Sequence, residues 1–341
     1  MYYSIANIFA GFLLLLLQFV PGCDKERELQ RVQFSGQAQG TTYHMIYLSR
    51  EGANFQKDME LILENMNRSL SLYHPASLIN RFNESPRGIV MDRYFKDVLK
   101  TAQKVSKKSG GAFDITVKPL VDAWGFGEKR HTNVPDSSRI KDLLSLVDYR
   151  LVQIKGDSLI KKQPEVRIDA NGIAQGYTLD LLAEFLEERK VRNYLVELGG
   201  EIRVSGKNEQ GRPWRIGIEA PPGDDADAGL LTSVISVSGK GISTSGSYRR
   251  FFEQGGEHYA HTIDPRSGFP TRNGLISVTV VAPDCITADA WDNALMVLGI
   301  SAAFEKLKEN KKLEAFFVYH DENGRLRDTA TAGFQKLYLL P

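Results

Sequence analysis

The order in which two periodicities follow one another constrains this chain most. Stretches with a two-residue apolar repeat alternate irregularly with stretches repeating every three to four residues, without the strand–helix–strand rhythm of a doubly wound parallel sheet. Residues 32–34 and 41–48 read as strands flanking the small-residue stretch 35–40. Phe55, Met59, Ile62, Met66 and Leu70 share one helical face, as do Phe95, Val98, Leu99, Ala102 and Val105, after which Gly110-Gly111 supplies a stop. The pattern predicts a short helix over 136–146, strands at 149–154 and 166–168, and an amphipathic helix over 172–190. Residues 194–204 read as a strand interrupted by Gly199-Gly200. Further strands are predicted at 214–219, 231–238, 248–253 and 277–282, with Gly255-Gly256 as a hairpin tip. Helices near 287–298 and 301–310 precede a closing strand pair, 313–320 and 334–339, joined through Asp321-Glu322-Asn323-Gly324. No repeat of fixed period is visible. The expectation is an α+β fold, with mixed or antiparallel sheets packed against helices in one globular body over residues 31–341.

The amino terminus stands apart from that body. Residues 8–20 are an apolar run of 13, too short to cross a hydrocarbon layer of roughly 30 Å as a helix. Pro21-Gly22-Cys23 ends the run, and the charged Asp24-Lys25-Glu26-Arg27-Glu28 follows. A short apolar core ending in small residues is the pattern of a secretory signal. Placed directly before a cysteine, it resembles a bacterial lipoprotein signal over residues 1–22. By that resemblance Cys23 becomes the lipidated first residue of the mature chain, with 23–30 as a charged tether. The absence of a basic residue before the apolar run leaves a short uncleaved anchor as the other reading.

With Cys23 lipidated, Cys285 has no intrachain partner, since the chain has 2 cysteines. A leftover thiol in an exported protein is ordinarily buried packing, and Cys285 is read so. A formal charge of +1 carries no electrostatic footprint for nucleic acid.

Polar groups concentrate in a few segments rich in glycine or proline. His261-Thr262-Ile263-Asp264-Pro265-Arg266-Ser267-Gly268-Phe269-Pro270 sets an imidazole, a carboxylate and a guanidinium in a segment that its prolines and glycine force to turn. A loop facing a site and a tight turn with a local Asp264–Arg266 pair are both open there. Gly110-Gly111 lets backbone approach a flat or anionic ligand beside Ala112, Phe113 and Asp114, or simply stops a helix. From Ile168 to Gly176 a strand ends in Asp169, small residues follow and a helix begins, which either aims backbone N–H groups at a phosphate or is simply an Asn-Gly turn before a helix. The glycine spacing is not a dinucleotide fingerprint, and no Walker lysine follows. Glu197 and Glu201 flank Gly199-Gly200 in an apolar strand, where a half-buried charge needs a partner. Asp289 and Asn293 lie four residues apart on one helix face and offer the hard oxygens that Mg²⁺ or Ca²⁺ accepts, although on its own this segment reads more readily as a helix N-terminal acid favoured by the dipole. Asp292 is expected to project elsewhere, as a cap or toward solvent.

Taken in order, these segments resemble the FAD:protein FMN transferase family, the ApbE-type flavin transferases. The matching stretches are Gly40-Thr41-Thr42-Tyr43, Ser71-Leu72-Tyr73, residues 111–124, residues 168–180, Leu198-Gly199-Gly200, Ser243-Thr244-Ser245-Gly246, the His261 loop and residues 288–299. The resemblance implies a T-fold-like α+β body that uses Mg²⁺ and takes FAD as substrate. It implies transfer of FMN through a phosphoester bond to a Thr or Ser hydroxyl of an exported acceptor protein, with release of AMP. Respiratory redox-pump subunits are acceptors by the same resemblance. Carried over, Asp289, Asn293 and the Gly172 carbonyl would hold the metal. Gly40, Tyr73, Ala112, Phe113, Asp114, Asp169, Gln175, His261, Thr262 and Ile263 would contact the flavin nucleotide. His261 is the candidate for proton transfer, and Asp289 counts as catalytic through the metal. Family members are commonly lipoproteins, which fits Cys23, a membrane anchor and a periplasm-facing location.

Three positions depart from the family pattern. Gln175 stands where Lys is usual, Asn293 where Thr is usual, and Asn171 where Gly is usual. Losing a lysine removes a point contact to phosphate, and Arg249, Arg250 and Arg266 are the nearest spare cations along the chain. Hydrolysis of FAD to FMN and AMP, with water replacing the acceptor, and flavin binding without turnover are the two other readings.

Overall fold

Neighbouring strands of the main sheet are also neighbours along the chain, and this sets the architecture. The computed structural model describes residues 29–219, 231–248 and 251–338. Its 8-stranded sheet runs β1 (Gln30–Ala38), β2 (Thr41–Ser49), β3 (Asn193–Leu198), β4 (Glu201–Ser205), β5 (Lys240–Gly246), β6 (Leu275–Ala282), β7 (Glu314–His320) and β8 (Leu326–Ala330) in that spatial order. Every adjacent pair is antiparallel. The fold is α+β, with helices and small sheets carried in the insertions between strands. Residues 1–22, expected to be a signal, Cys23 and most of the expected tether lie outside the described residues, as do Arg249 and Arg250.

Four helices position the site: α1 (Gln56–Leu70), α2 (Arg93–Ser109), α3 (Ala174–Glu188) and α4 (Cys285–Glu309). The first two are amphipathic as their spacing predicts. Asp92 caps the N-terminus of α2 by accepting from Phe95 N–H, and Gly110, at φ 68°, ends it in the left-handed conformation. Helix α4 differs. Its first part, up to Gly299, is buried on nearly every side, from Cys285 and Ala288 through Trp291, Leu295 and Met296, and the helix packs on α2, α3, β5 and β6. A helix apolar all round belongs inside a protein, so the carboxylates on it are interior groups. Gly299, at φ 74°, breaks α4 into the two helices expected, and Asn273 Nδ2 donates to the Met296 carbonyl at 2.8 Å to cap the first.

Several predicted elements differ in the structure, each for a physical reason. Residues 35–38 continue β1 instead of leaving it. Residues 194–204 form a hairpin, because Gly199 and Gly200 both adopt positive φ, 70° and 109°. Residues 166–168 join no ladder: Asn83 replaces a neighbouring strand, with Nδ2 donating to Ile168 O at 2.9 Å and Oδ1 accepting from Ile168 N–H at 2.8 Å. Residues 149–151 form a 3-10 turn capped by Asp148, with strand Val152–Lys155 only beyond it. The partner of β7 is the polar, largely exposed β8, which has no apolar repeat to announce it; Phe334 instead lies on the short helix Ala332–Gln335. The hairpin Phe251–Gln254 with Glu257–Ala260 turns at Gly255-Gly256 as predicted.

Candidate active site

The site lies where the insertion before β3 meets α4. Gly176 permits the meeting: a Cβ there would stand 2.4 Å from the Cys285 carbonyl and 2.7 Å from Asp289 Cβ, so only glycine lets α3 start this close to α4. Its N–H donates to Asp289 Oδ2 at 2.8 Å, placing the carboxylate against the positive end of α3. Asp180, further along α3, accepts from Cys285 N–H and Ile286 N–H, both at 2.8 Å, and so caps α4 from the neighbouring helix. Cys285 is buried, donates toward the Ile202 and Ile242 carbonyls, and burial pushes its thiol well up; it is packing, as expected.

The segment before α3 is fixed as firmly. Beyond the Asn83 clamp, Asp169 N–H donates to Ile115 O at 2.7 Å, and Asp169 Oδ1 accepts from Asn171 N–H at 2.8 Å. Burial raises the Asp169 carboxyl to about 6. Gly172 then packs against the Asn293 side chain.

Asp292 corrects the sequence expectation. It is 1% exposed, beside Asp289 at 3%, and lines the same cavity. Ser243 Oγ donates to Asp292 Oδ2 at 2.6 Å, and Asn293 Nδ2 donates to Oδ1 at 2.9 Å. Because α4 is buried all round, the turn that carries Asp292 has no solvent to face. Burial first, then the charge of Glu201, drives the Asp289 carboxyl well up; burial and then Asp289 itself do the same to Asp292.

These groups fit a hard divalent cation. Buried carboxylates that repel one another need a positive charge to be stable together. Asn293 Nδ2 sits among such oxygens, 3.0 Å from Asp289 O, 2.9 Å from Asp292 Oδ1 and 3.5 Å from Gly172 O. Turning that amide would present its oxygen to the same spot. Among the described residues no three His, Cys, Asp or Glu side chains form a metal cluster, so a cation here would rest on a mixed set of carboxylate, amide and carbonyl oxygens.

Above these oxygens opens a cavity of about 810 Å³, lined among others by Gly40, Tyr73, Gly172, Gln175, Glu201, His261, Asp289, Asp292 and Asn293. A smaller one of about 150 Å³ is lined by Ala112, Phe113, Asp114, Asp169, Thr262 and Ile263, and shares Asn171, Gly172, His261 and Asn293 with the first. Every nucleotide and metal residue expected from the sequence therefore lines one of two adjoining cavities, with His261 at their seam. The smaller one is mostly apolar, with Phe113, Ile115, Val117, Val121, Phe126 and Val297 in its wall, as suits a flat ring system. Thr262 Oγ1 is buried there without a hydrogen-bond partner among the described residues. Asp114 shapes the wall: its oxygens accept from Thr116 N–H, Thr116 Oγ1 and Tyr149 N–H at 2.6–2.8 Å.

The His261 loop carries both readings left open for it. Asp264 and Arg266 pair locally at 2.8 Å, so Arg266 is occupied and lines neither cavity. His261 meanwhile does face the site. Trp124 Nε1 donates to the Gly268 carbonyl at 2.8 Å and ties the loop to the body. Glu197 finds its partners outside the cavity, in His44 and Gly200 N–H. Sequence reasoning missed Arg130, a cavity-lining residue in a connection without motif, and the Asn83 clamp, whose signal is purely tertiary.

Comparison with known proteins points the same way. The ApbE family profile matches residues 39–317. The FAD:protein FMN transferase of Haemophilus influenzae is 36% identical over 328 residues, covering 92% of this chain and 93% of its own. That of Vibrio cholerae is 37% identical over 290 residues, covering 83% and 85%. Among solved structures, the flavin transferase ApbE from Vibrio cholerae superposes with a TM-score of 0.82 at 32% identity, covering 91% of this chain and 99% of its own. The flavinyl transferase ApbE of Pseudomonas stutzeri, in its apo form, gives 0.82 at 35% identity, covering 91% and 97%.

Proposed function

This chain belongs to the ApbE family, and from that premise we propose that it transfers FMN from FAD to a protein. The observation that carries the reading is the set of buried, mutually repelling carboxylates Asp289 and Asp292 at the base of a cavity of about 810 Å³, beside the N-terminus of α3. In the proposed reaction an acceptor Thr or Ser oxygen bonds to the FMN phosphorus of the diphosphate. The bond from that phosphorus to the AMP oxygen breaks, AMP leaves with the electron pair, and the hydroxyl proton is released. The product is a phosphoester.

Asp289, Asn293 and Gly172 O, with Asp292 beside them, would hold Mg²⁺, which when bound neutralises diphosphate charge and favours departure of AMP. The chain's own residues do the remainder. Gly176 N–H holds Asp289 in one orientation. Asn83 and Asp169 fix the backbone ahead of α3, so that Gly172 and Gln175 face the cavity. The apolar wall around Phe113 in the smaller cavity takes a ring and excludes water, while Tyr73, 61% exposed, offers its ring to the larger cavity. His261, at the seam, is within the cavity wall to accept the hydroxyl proton.

Incubation with FAD, Mg²⁺ and a Thr-bearing acceptor is expected to release AMP in step with flavin fluorescence in the denatured acceptor band, and EDTA should stop both. AMP without acceptor fluorescence would make the chain an FAD hydrolase instead. The apolar run and Cys23 support an exported protein anchored by lipid to a bacterial membrane and facing the periplasm; no helix among the described residues is long and apolar enough to cross a membrane. Acceptors of this address are redox proteins of the same compartment, such as respiratory pump subunits.

A further inference from the structure

The larger cavity holds an electrostatic conflict. Its wall carries Glu201, Asp289 and Asp292, yet the proposed ligand is itself an anion. Among the described residues lining either cavity, Arg130 is the one arginine or lysine. It lies in the connection 125–136, between the helices Lys118–Ala123 and Ser137–Leu144.

That connection is folded back and pinned. Lys118, 5% exposed, donates through Nζ to both Glu128 carboxylate oxygens at 2.9 Å and to Asp122 Oδ1 at 3.1 Å. Arg167 closes the network on Asp122 Oδ2 at 3.0 Å. His131 Nε2 donates to the Asp122 carbonyl at 3.1 Å, on the other side of Arg130. Gly125, at φ 77°, and Gly127 leave no room for a Cβ against His131 O and Asp122 Oδ1, so the backbone turns at contact distance. Held between Glu128 and His131, Arg130 lines the cavity and makes no ion pair with the described residues. Only Lys118 of this network is buried; the carboxylates around it are partly exposed, and together they hold one exposed guanidinium in the wall of an acidic cavity.

We infer that Arg130 is a specificity-determining residue that binds the diphosphate of the nucleotide. A guanidinium presents a fork of donors matched to phosphate oxygens, and Arg130 brings it to the same cavity as the carboxylates. It thereby supplies the cation that Gln175 does not, and favours a flavin carrying a diphosphate over one without. The inference rests on FAD being the ligand, as proposed above.

The test is equilibrium binding of FAD, with riboflavin as the phosphate-free control, to the detergent-solubilised full-length protein in the presence of Mg²⁺. Arg130→Gln is expected to weaken FAD binding roughly tenfold or more and to flatten its salt dependence. Riboflavin affinity should not move, and Arg130→Lys should restore part of the loss. In turnover, KM for FAD should rise while kcat changes little. Unaltered FAD affinity and salt dependence in Arg130→Gln would overturn the inference, as would an equal loss of riboflavin affinity. Failure of the unmodified protein to bind FAD would instead overturn the functional reading on which it rests.

Discussion

Asp289 and Asp292 hold carboxyls where water cannot solvate their charge and where each disfavours ionisation of the other. A group kept in that condition stabilises nothing by itself, so removing one charge should relieve the fold while disabling the site. Asp292→Asn is expected to raise the stability of the metal-free protein by about 1–3 kcal/mol in urea unfolding. Asp289→Asn should lower AMP release roughly 100-fold or more with the fold intact, and should abolish the rise in melting temperature expected on adding Mg²⁺ to the unmodified protein. Retained Mg²⁺-dependent AMP release in Asp289→Asn would contradict the metal assignment. Residue by residue, much of this site was legible. Helical spacing puts Asp289 and Asn293 on one face, glycine, proline and charge mark the Asp169 and His261 segments, and the family resemblance singles these positions out as a site. Asp292 was not legible, because its direction depends on α4 being buried all round, and a spacing rule that assumes one wet face sends it outward.

At the scale of elements, the close approach of α3 and α4 makes the site. Gly176→Ala would drive a Cβ into the Cys285 carbonyl, 2.4 Å away, and so separate the helices. It should cost about 1–3 kcal/mol of stability and most of the transfer activity, and a variant of full stability and activity would show that the approach is not needed. Asp180 binds the same two helices together. Burial raises its carboxyl to about 6, above its unfolded value, so the native state keeps a proton that the unfolded chain gives up. That contribution is complete below about pH 4 and disappears as pH rises through about 6. Through Asp180 the protein should be about 1–2 kcal/mol less stable at pH 7.5 than at pH 5, and Asp180→Asn should shrink the difference. An unchanged difference in urea unfolding would contradict a raised Asp180 carboxyl. Elements with a strong repeat, α1, α2 and β6, were readable from the chain. Those fixed by a tertiary partner were not: residues 166–168 are extended because Asn83 bonds them, and β8 is a strand because β7 offers an edge.

For the whole molecule, one antiparallel sheet in chain order supplies the base, and its insertions bring buried carboxylate and amide groups, an apolar wall and a guanidinium to one place. The periodicity indicates such a mixed, non-Rossmann architecture, whereas the convergence of distant insertions is a property of three-dimensional packing that no local pattern carries. Location also belongs to this scale. Cys23→Ala should move the protein from the membrane fraction to the soluble exported fraction, and membrane retention would favour an uncleaved anchor over residues 8–20. The measurement that tests the central claim most directly is intact mass spectrometry of a Thr-bearing acceptor after incubation with this protein, FAD and Mg²⁺, followed by denaturation. Covalent transfer predicts a gain equal to one FMN less one water, localised by peptide fragmentation to a Thr or Ser side chain and absent when that residue is Ala. An acceptor of unchanged mass, across acceptors from the same exported compartment and with FAD consumed, would contradict it.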